Sequence, residues 1–375
     1  MNNQSTLGIY LHIPFCLRKC FYCDFCSQSA DRHIRDAYIR MLVREIGQAE
    51  PDARKVDTLF IGGGIPSLLD GREVELLLTA LRQKYSFAEE FEFSVEANPA
   101  TVTREKAADY LSLGVNRISI GVQSMQDGEL RALGRLHTSA DAVECVGIFR
   151  AAGADNLNVD LMYGIPNQTT ASFADTLQRI LALAPEHLSA YSLILEEGTV
   201  LDGQKDTLLL PSEEDERAMY DALCEMAEKQ GYRHYEISNY AQKGRECRHN
   251  LRYWQRADYR GFGLAAHSCI GGVRLAHTES LADYLAGAYA QYEVERLTQR
   301  DIDAERIMLG LRTKNGVSER ALFKVAGENK RPFVERCVEN GYLERLDGRL
   351  CPTDDGLYVS SGILKEILPD WFFHK

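Results

Sequence analysis

Short apolar runs alternate with longer amphipathic stretches from residue 7 to about residue 240. We predict that the runs are strands, because they have the length and composition of buried strands; they are Ile9–Ile13, Val56–Ile61, Phe91–Val95, Val115–Ile120, Leu157–Met162 and Leu188–Leu195. The stretches between them have apolar residues three or four positions apart and are predicted helices; they are Tyr38–Ile46, Val74–Leu81, Lys106–Leu113, Ala142–Ala151 and Phe173–Leu183. Repeated strand–helix units indicate a parallel sheet, curved or closed, with functional loops at the carboxyl ends of its strands.

The later part of the chain has a different pattern. A helix is predicted over Glu213–Lys229, and from about residue 280 helical patterns dominate. Near the end, Asp347-Gly348 joins two short strand-like runs, which is a hairpin signal. We therefore predict an α/β protein with a partial parallel (β/α)6 barrel in residues 1–275 and a small C-terminal α/β, winged-helix-like domain in residues 276–375.

Three cysteines follow the first predicted strand in a C-x3-C-x2-C spacing: Cys16, Cys20 and Cys23. Thiolates so close together can bind three irons of a cubane iron–sulfur cluster and leave the fourth iron open for a ligand. Zinc sites usually combine two separated pairs of ligands, and the sequence offers no second pair. Cys26 adds a fourth nearby thiol, so the spacing alone also permits a fully ligated electron-transfer cluster.

Polar or glycine residues follow each of the next four predicted strands. The glycine run Gly62–Gly64 follows the second strand, and Glu96 follows the third. Gln123 follows the fourth strand, Arg135 lies on the next segment, and Asp160 is carried by the fifth. Each residue alone is adequately explained as a turn or as a hydrogen-bonding residue at the sheet edge. Together, beside the cysteine loop, they predict one shared binding site.

Composition and charge narrow the function classes. A formal net charge of −12 and a pI near 5.3 argue against nucleic acid or an anionic membrane as the main partner. The sequence shows neither a secretory signal pattern nor a long uncharged apolar window. Six of the ten cysteines are scattered singly, which favours a reducing compartment over a disulfide framework. We therefore expect a cytoplasmic protein.

These segments resemble the radical S-adenosylmethionine (SAM) superfamily. Within it they resemble the branch that contains oxygen-independent coproporphyrinogen III dehydrogenase and the HemW-type heme chaperones, through IYLHIPFCLRKCFYCDF, GGGIPS, EANPAT, RISIGVQS, DLMYGIPNQT, YSLILEEGT and YEISNYA. The resemblance implies a radical SAM barrel, a [4Fe–4S] cluster on Cys16, Cys20 and Cys23, and SAM at the open iron. It implies SAM contacts from Tyr10, Tyr22, Gly63, Gly64, Ile65, Glu96, Gln123, Arg135 and Asp160.

Two positions depart from the pattern of this branch. Ile65 stands where the family usually has threonine, so a contact from a side-chain hydroxyl is absent there. The dehydrogenases place their extra cysteine two residues after the third ligand, where this chain has Phe25. With the SAM loops present, we interpret Cys26 as a thiol that does not bind the cluster.

A basic stretch at residues 243–256 contains HNLRYW, which resembles the HNxxYW signature of the HemW group. This resemblance implies heme binding, with an axial bond from His249 or the thiol of Cys247, and with Tyr253 and Trp254 against the ring. Nearby arginines would then pair with the propionates; they are Arg245, Arg248, Arg252 and Arg256. His267 is a lesser heme candidate. Without the resemblance, a cationic surface helix with a hydrogen-bonded histidine is the better interpretation.

Three functions are compatible with these features of the sequence. We rank first a heme chaperone that passes heme to an unidentified acceptor protein, including weak contact with membrane-bound heme proteins, and that does not bind nucleic acid. The alternative is a coproporphyrinogen III dehydrogenase, which by resemblance has an N-terminal extension, whereas here the first strand begins within ten residues of Met1. A radical enzyme with another substrate ranks third. We assign no catalytic residue and expect no coproporphyrinogen dehydrogenase activity.

Overall fold

The computed structural model describes residues 6–372, so the ends of both predicted domains lie outside the described residues. Its strands are β1 Thr6–Ile13, β2 Lys55–Gly63, β3 Phe87–Ala97, β4 Arg117–Gln123, β5 Leu157–Tyr163, β6 His187–Ser192, β7 Arg233–Glu236, β8 Asn239–Ala241, β9 Tyr259–Phe262, β10 His267–Ile270, β11 Val273–Ala276, β12 Tyr292–Arg296, β13 Val317–Ser318, β14 Leu343–Leu346 and β15 Arg349–Pro352. All six strands predicted in the first part of the chain are present.

The helices alternate with β1 to β6 and then continue to the C-terminus. They are α1 Arg32–Gln48, α2 Gly71–Lys84, α3 Arg104–Ser112, α4 Asp127–Ala132, α5 Ser139–Ala152, α6 Thr170–Ala182, α7 Glu213–Lys229, α8 Arg248–Trp254, α9 Leu281–Leu285, α10 Gln299–Gly310, α11 Glu319–Ala326, α12 Arg331–Glu339, α13 Asp354–Tyr358 and α14 Ser360–Ile367. Short 3-10 helices lie at Pro66–Leu68, Pro99–Thr101, Asp202–Thr207, Glu328–Lys330 and Asp370–Phe372.

One large sheet organises the described residues. Its strand order is β12-β11-β10-β9-β1-β2-β3-β4-β5-β6-β8-β7, and the six strands from β1 to β6 are parallel. β9 also pairs with β1 in parallel, and antiparallel strands extend both edges. The sheet has two free ends and is not closed, so the predicted partial barrel is confirmed.

Along each strand, successive side chains face alternately the hydrophobic core and the candidate site. On β4, Ile118, Ile120 and Val122 are buried in the main hydrophobic cluster with the helices. The intervening residues Arg117, Ser119 and Gly121 line cavities on the other face. Because side chains of a strand point alternately to its two faces, the same division repeats on neighbouring strands. The inner face of the sheet is therefore unusually polar.

Capping residues define the starts of several helices. Ser212 caps α7 and forms a capping box with Asp215, and Asp70 forms one with Glu73 at the start of α2. For α7, the structure has the predicted bounds. The six-residue helix α4 was not predicted.

The C-terminal part has a small sheet of its own, in the order β13-β15-β14. Asp347 and Gly348 form the hairpin turn with φ of 50° and 73°, as the sequence predicts. The predicted boundary after residue 275 falls inside β11, and the large sheet continues through β12. Because few contacts cross a domain boundary, we propose that the division lies near residue 297, after β12.

The C-terminal part contacts the β7 edge of the large sheet. Asp354 on α13 pairs with His234 of β7 at 2.8 Å and with Lys314 at 2.7 Å. A backbone bridge joins Glu236 to Thr313 beside these contacts. Within residues 6–372, no helix combines the length and apolar character needed to cross a membrane.

Candidate cofactor site

The cysteine loop leaves β1 and borders a cavity of about 320 Å³. Cys16, Cys20 and Cys23 line this cavity, which we call the cofactor cavity. The Cys26 thiol lies instead 3.9 Å from the carbonyl oxygen of Glu279. Burial raises the pKa of Cys16 and of Cys23, so a bound metal would have to draw the protons from these thiols.

His12 fixes the far end of this loop. Its Nε2 donates to the carbonyl oxygen of Cys26 at 2.9 Å, so its Nδ1 accepts from the Tyr10 hydroxyl at 3.0 Å. Burial lowers the pKa of His12, which keeps the ring neutral. The sequence suggested only a polar residue at a strand end. Its position between Tyr10 and Pro14, on the inner face, was the signal for a role in the loop.

The glycine run contacts the end of β1 through its backbone. Gly64 donates its amide N–H to the carbonyl of Ile13 at 2.8 Å, and Ile65 donates to that of Phe15 at 2.7 Å. A Cβ atom on Gly64 would lie 2.6 Å from the Phe15 oxygen, so glycine is required by this close approach. These two amide groups are therefore bonded within the protein. The run still lines the cofactor cavity.

Two acidic side chains, Glu96 and Asp160, line the cofactor cavity. Glu96 accepts the amide N–H of Gly63 at 3.0 Å, and Asp160 accepts from Asn158 at 2.6 Å and Ser119 at 3.3 Å. Burial, with the charge of Asp160 as the second cause, raises the pKa of Glu96 to about 8. Neither carboxyl belongs to an ion pair formed by the described residues. The pair is suited to a positively charged ligand group.

Arg135 supplies the positive charge of the cavity. Its Nη1 lies 3.5 Å from the Cys20 sulfur, Nη2 donates to the carbonyl of Gly121, and the buried Nε has no partner among the described residues. Gln123 has a positive φ of 74°, a conformation that costs non-glycine residues about 1–3 kcal/mol. Such strain concentrates at ligand sites, and here it places the amide side chain in the cavity.

The structure brings together nearly all the predicted SAM contacts. Those that line the cofactor cavity are Tyr22, Gly63, Gly64, Ile65, Glu96, Gln123, Arg135 and Asp160. Tyr10 lies on an adjoining cavity of about 230 Å³, which we call the inner chamber. Ser119 and Tyr191, which border both cavities, were not predicted from the sequence. Their inward positions on β4 and β6 were the available signal.

The HNxxYW segment forms α8, which lies against the inner chamber rather than on the surface. His249 is 1% exposed; its Nδ1 is bonded to the Thr58 hydroxyl at 2.9 Å and its Nε2 to the Tyr253 hydroxyl at 2.8 Å. Burial, followed by the charge of Arg252, lowers the pKa of His249 to about 3. The ring is therefore neutral and fully hydrogen-bonded. The interpretation of this segment as a cationic surface helix is wrong about its exposure, whereas the hydrogen-bonded histidine of that interpretation is confirmed.

The other residues predicted to bind heme are buried, exposed away from the chamber or bonded to partners within the protein. Burial raises the pKa of Cys247 to about 12, so it is a thiol at neutral pH. Trp254 is partly buried at the end of α8, and His267 is exposed on β10. Each of the four arginines already has a partner within the protein. Arg252 pairs with Asp57 and Arg256 with Glu305, both at 2.7 Å. Arg245 pairs with Asp155 at 3.4 Å, and Arg248 donates to the Glu90 carbonyl at 3.1 Å.

Comparison with known proteins defines the class. Residues 10–180 match the family model described as the Radical SAM superfamily. An open parallel sheet with three thiols in one cavity after the first strand is the arrangement of a radical SAM protein. The described fold is also similar to a solved structure, coproporphyrinogen III oxidase (HemN) from Escherichia coli, with a TM-score of 0.83 and 22% identity over 97% of this chain and 90% of that chain.

Two curated relatives narrow the class to one family. The chain is 37% identical to heme chaperone HemW of Lactococcus lactis, over 98% of each chain. It is 32% identical to heme chaperone HemW of Escherichia coli, over 99% of this chain and 100% of the relative. The chain therefore belongs to the HemW family of radical SAM proteins.

Radical SAM proteins hold a [4Fe–4S] cluster and SAM, and the residues present fit both groups. Three thiols share one cavity, as an open-iron cluster requires. The unpartnered Nε of Arg135 suits a ligand carboxylate, and the unpaired carboxyls of Glu96 and Asp160 suit an ammonium group or ribose hydroxyls.

Proposed function

We propose that this chain is a heme chaperone, which binds heme and transfers it to an acceptor protein. The observation that carries the proposal is its similarity, over nearly the full length, to a relative named heme chaperone HemW. The HNxxYW segment supports the same conclusion. The similarity to the coproporphyrinogen III oxidase structure concerns the fold, because the identity is only 22%.

We assign the cofactors to the cofactor cavity. Cys16, Cys20 and Cys23 would hold the [4Fe–4S] cluster, which supplies an open iron for the amino and carboxylate groups of SAM. Arg135 would bind the carboxylate, Glu96 the N–H groups of the amine, and Gln123 with Asp160 the ribose hydroxyls. These are roles of binding and orientation, and they leave the question of SAM cleavage to experiment.

We assign heme to the region of α8. His249 would supply the axial bond through Nε2, because Nδ1 is held by Thr58 and orients the ring. Its hydrogen bond to Tyr253 must then break, and Tyr253 and Trp254 would contact the porphyrin. The inner chamber, at about 230 Å³, is below the roughly 300–1,000 Å³ of sites for drug-sized ligands, so heme binding requires it to open.

The acceptor and the compartment are also proposals. All ten cysteines are free, which is consistent with a reducing, cytoplasmic environment. The acceptor would be a heme protein, and we propose weak contact with membrane-bound examples. The acidic net charge of −12 does not favour anionic lipid or nucleic acid as the primary partner.

The test uses anaerobically reconstituted protein loaded with heme and mixed with an apo heme protein. A chaperone predicts a transfer rate that rises with acceptor concentration, whereas simple release gives a rate independent of it. His249→Gln, which retains hydrogen-bonding groups, should shift the Soret band, while His267→Gln serves as the control. Conversion of coproporphyrinogen III to a porphyrin product with SAM and reductant would contradict the proposal.

A further inference from the structure

The inner chamber opens beside the cofactor cavity and shares part of its wall. Glu96, Ser119, Asp160 and Tyr191 border both spaces. Hydroxyl and amide groups dominate the rest of the wall, with contributions from Tyr10, Ser189, Asn250 and Tyr253. A molecule bound in the cofactor cavity can therefore extend a polar group into the chamber.

One cation lies in this wall with few bonds. Arg117, at the start of β4, is 2% exposed and lines the chamber. Its hydrogen bond to the Asn156 side chain is long, at 3.4 Å, and its buried Nε has no partner among residues 6–372. It forms no ion pair within the described part of the chain. A guanidinium has five N–H donors, so most of this group's capacity is unused.

The nearest acids are already committed to other groups. Glu92 accepts the backbone N–H groups of Arg248 and His249, both at 2.9 Å. Asp160 accepts from Asn158 and Ser119. Burial opposes the charge of Arg117, whereas the nearby charges of Glu92 and Asp160 help to raise its pKa. Neither acid forms an ion pair or a hydrogen bond with it among the described residues, so its unused donors point to an anionic ligand.

We propose that the inner chamber binds the carboxylate group of a ligand, with the Arg117 guanidinium as its main contact. The planar donor fork matches a carboxylate, and the hydroxyls around it can satisfy the remaining oxygen lone pairs. A phosphate dianion is less suitable, because Asp160 lies in the same wall and would repel a second negative charge.

The carboxylate has two possible sources that share this chemistry. One is a propionate arm of heme, and this version rests on the proposed function. The other is a free small organic acid that occupies the chamber beside the cofactors. Propionate, heme and heme dimethyl ester distinguish these sources, since the ester keeps the porphyrin and iron but has no free carboxylate.

The variants are Arg117→Met, which removes the charge while keeping much of the length, and Arg117→Lys, which retains a charge. Arg150→Met is the control, because Arg150 pairs with Glu186 at 2.9 Å and does not line either cavity. Tm and cluster content establish that each variant is folded. If Arg117 serves to bind a ligand, the Arg117→Met protein should melt at or above the Tm of the parent. If Arg117 stabilises the fold, the variant should have a lower Tm.

We expect propionate, but not propionamide, to raise the Tm of the parent if the ligand is a free acid. If the source is heme, the parent should bind heme at least tenfold more tightly than the dimethyl ester. In either case Arg117→Met should abolish the difference between the ligand with a carboxylate and the ligand without one. Arg117→Lys should retain part of that difference. A folded Arg117→Met protein that distinguishes acid from amide, and heme from ester, as the parent does would overturn the proposal.

The two proposals fail in different ways. If heme does not bind at all but propionate still depends on Arg117, the heme-chaperone function fails and the carboxylate site stands. If heme binds equally to the parent and Arg117→Met, and neither responds to propionate, the carboxylate site fails and the function stands.

Discussion

The side chain of Glu92 on β3 accepts the backbone N–H of His249 at 2.9 Å, although 157 positions separate the two residues. The same carboxylate accepts the N–H of Arg248. Cys247, the residue before α8, makes no side-chain cap hydrogen bond, so Glu92 performs this function from the sheet. The placement of the HNxxYW helix therefore depends on a strand of the main sheet.

Replacement of Glu92 by alanine should destabilise the protein. The buried N–H of His249 and the partly buried N–H of Arg248 would lose a charged acceptor, and the unfolding free energy should fall by about 1.5–3 kcal/mol. Glu92→Gln retains one acceptor oxygen and should cost less. Urea unfolding measures the stability of both Glu92 variants. Glu90→Ala is the control, because the Glu90 side chain is exposed. Equal stability of Glu92→Ala and Glu90→Ala would show that the cap does not matter.

Single cysteine variants should separate the cluster ligands from Cys26. Cys16→Ala, Cys20→Ala and Cys23→Ala should each lose iron and sulfide, because their thiols share the cofactor cavity. Cys26→Ala should keep the cluster, since its thiol lies near the Glu279 carbonyl instead. Iron and sulfide analysis after anaerobic reconstitution decides the matter. Loss of the cluster in Cys26→Ala would favour a fully ligated cluster.

SAM binding should release a proton from Glu96. The pKa of this carboxyl is about 8 without ligand, so it is mostly protonated at neutral pH, and the positive charge of SAM favours the ionised form. Affinity should therefore increase towards about pH 8, by up to tenfold per pH unit, and then level off. Titration calorimetry in buffers with different ionisation enthalpies measures the proton. Glu96→Gln should remove this proton release, and an identical release in that variant would contradict the assignment.

Asp354 should make stability depend on acid pH. The hydrogen bond from His234, and after it that from Lys314, holds the pKa of Asp354 well below its usual range. A depressed folded-state pKa adds stability above the unfolded value of about 3.8, and this stability is lost as the pH falls further. Asp354→Asn should thus destabilise the protein at pH 6 and destabilise it less at pH 3, where part of this stability is already lost. Because the side chain is 46% exposed, the loss should stay under about 1 kcal/mol.

Denaturant unfolding of the parent and Asp354→Asn at both pH values measures this difference. Asp355→Asn is a useful comparison, because Asp355 pairs with Arg217 rather than with His234 and Lys314. A constant difference between the parent and Asp354→Asn across the acid range would exclude the pKa shift as its cause.

The sheet could be predicted because its signals are local. Each buried strand has its own apolar run, and each flanking helix has its own periodicity and often its own cap, as Ser212 does for α7. The cysteine cavity followed from strand direction, since the carboxyl ends of parallel strands meet at one edge. Short strands such as β8, and the brief helix α4, have too few residues to generate a periodic signal.

The surroundings of α8 could not be predicted, because they depend on distant contacts. The buried His249 is hydrogen-bonded by Thr58 from β2 and Glu92 from β3. Both residues lie far from the HNxxYW motif in the sequence, and nothing in the sequence links them to it. Arg117 was also missed, since a polar residue at the start of a predicted strand usually reaches solvent. Its position on the same face of β4 as Ser119 places it in the chamber wall.

The position of β1 in the large sheet has a consequence for biosynthesis. Among the described strands β1 is the first to be made, but one of its two neighbours is β9, which ends at Phe262. Its second edge stays unpaired until 262 of the 375 residues have left the ribosome. Because the cysteine loop continues directly from β1, its final shape forms late in translation or after it. The cysteine loop therefore gains its complete set of neighbouring strands only after synthesis of most of the chain.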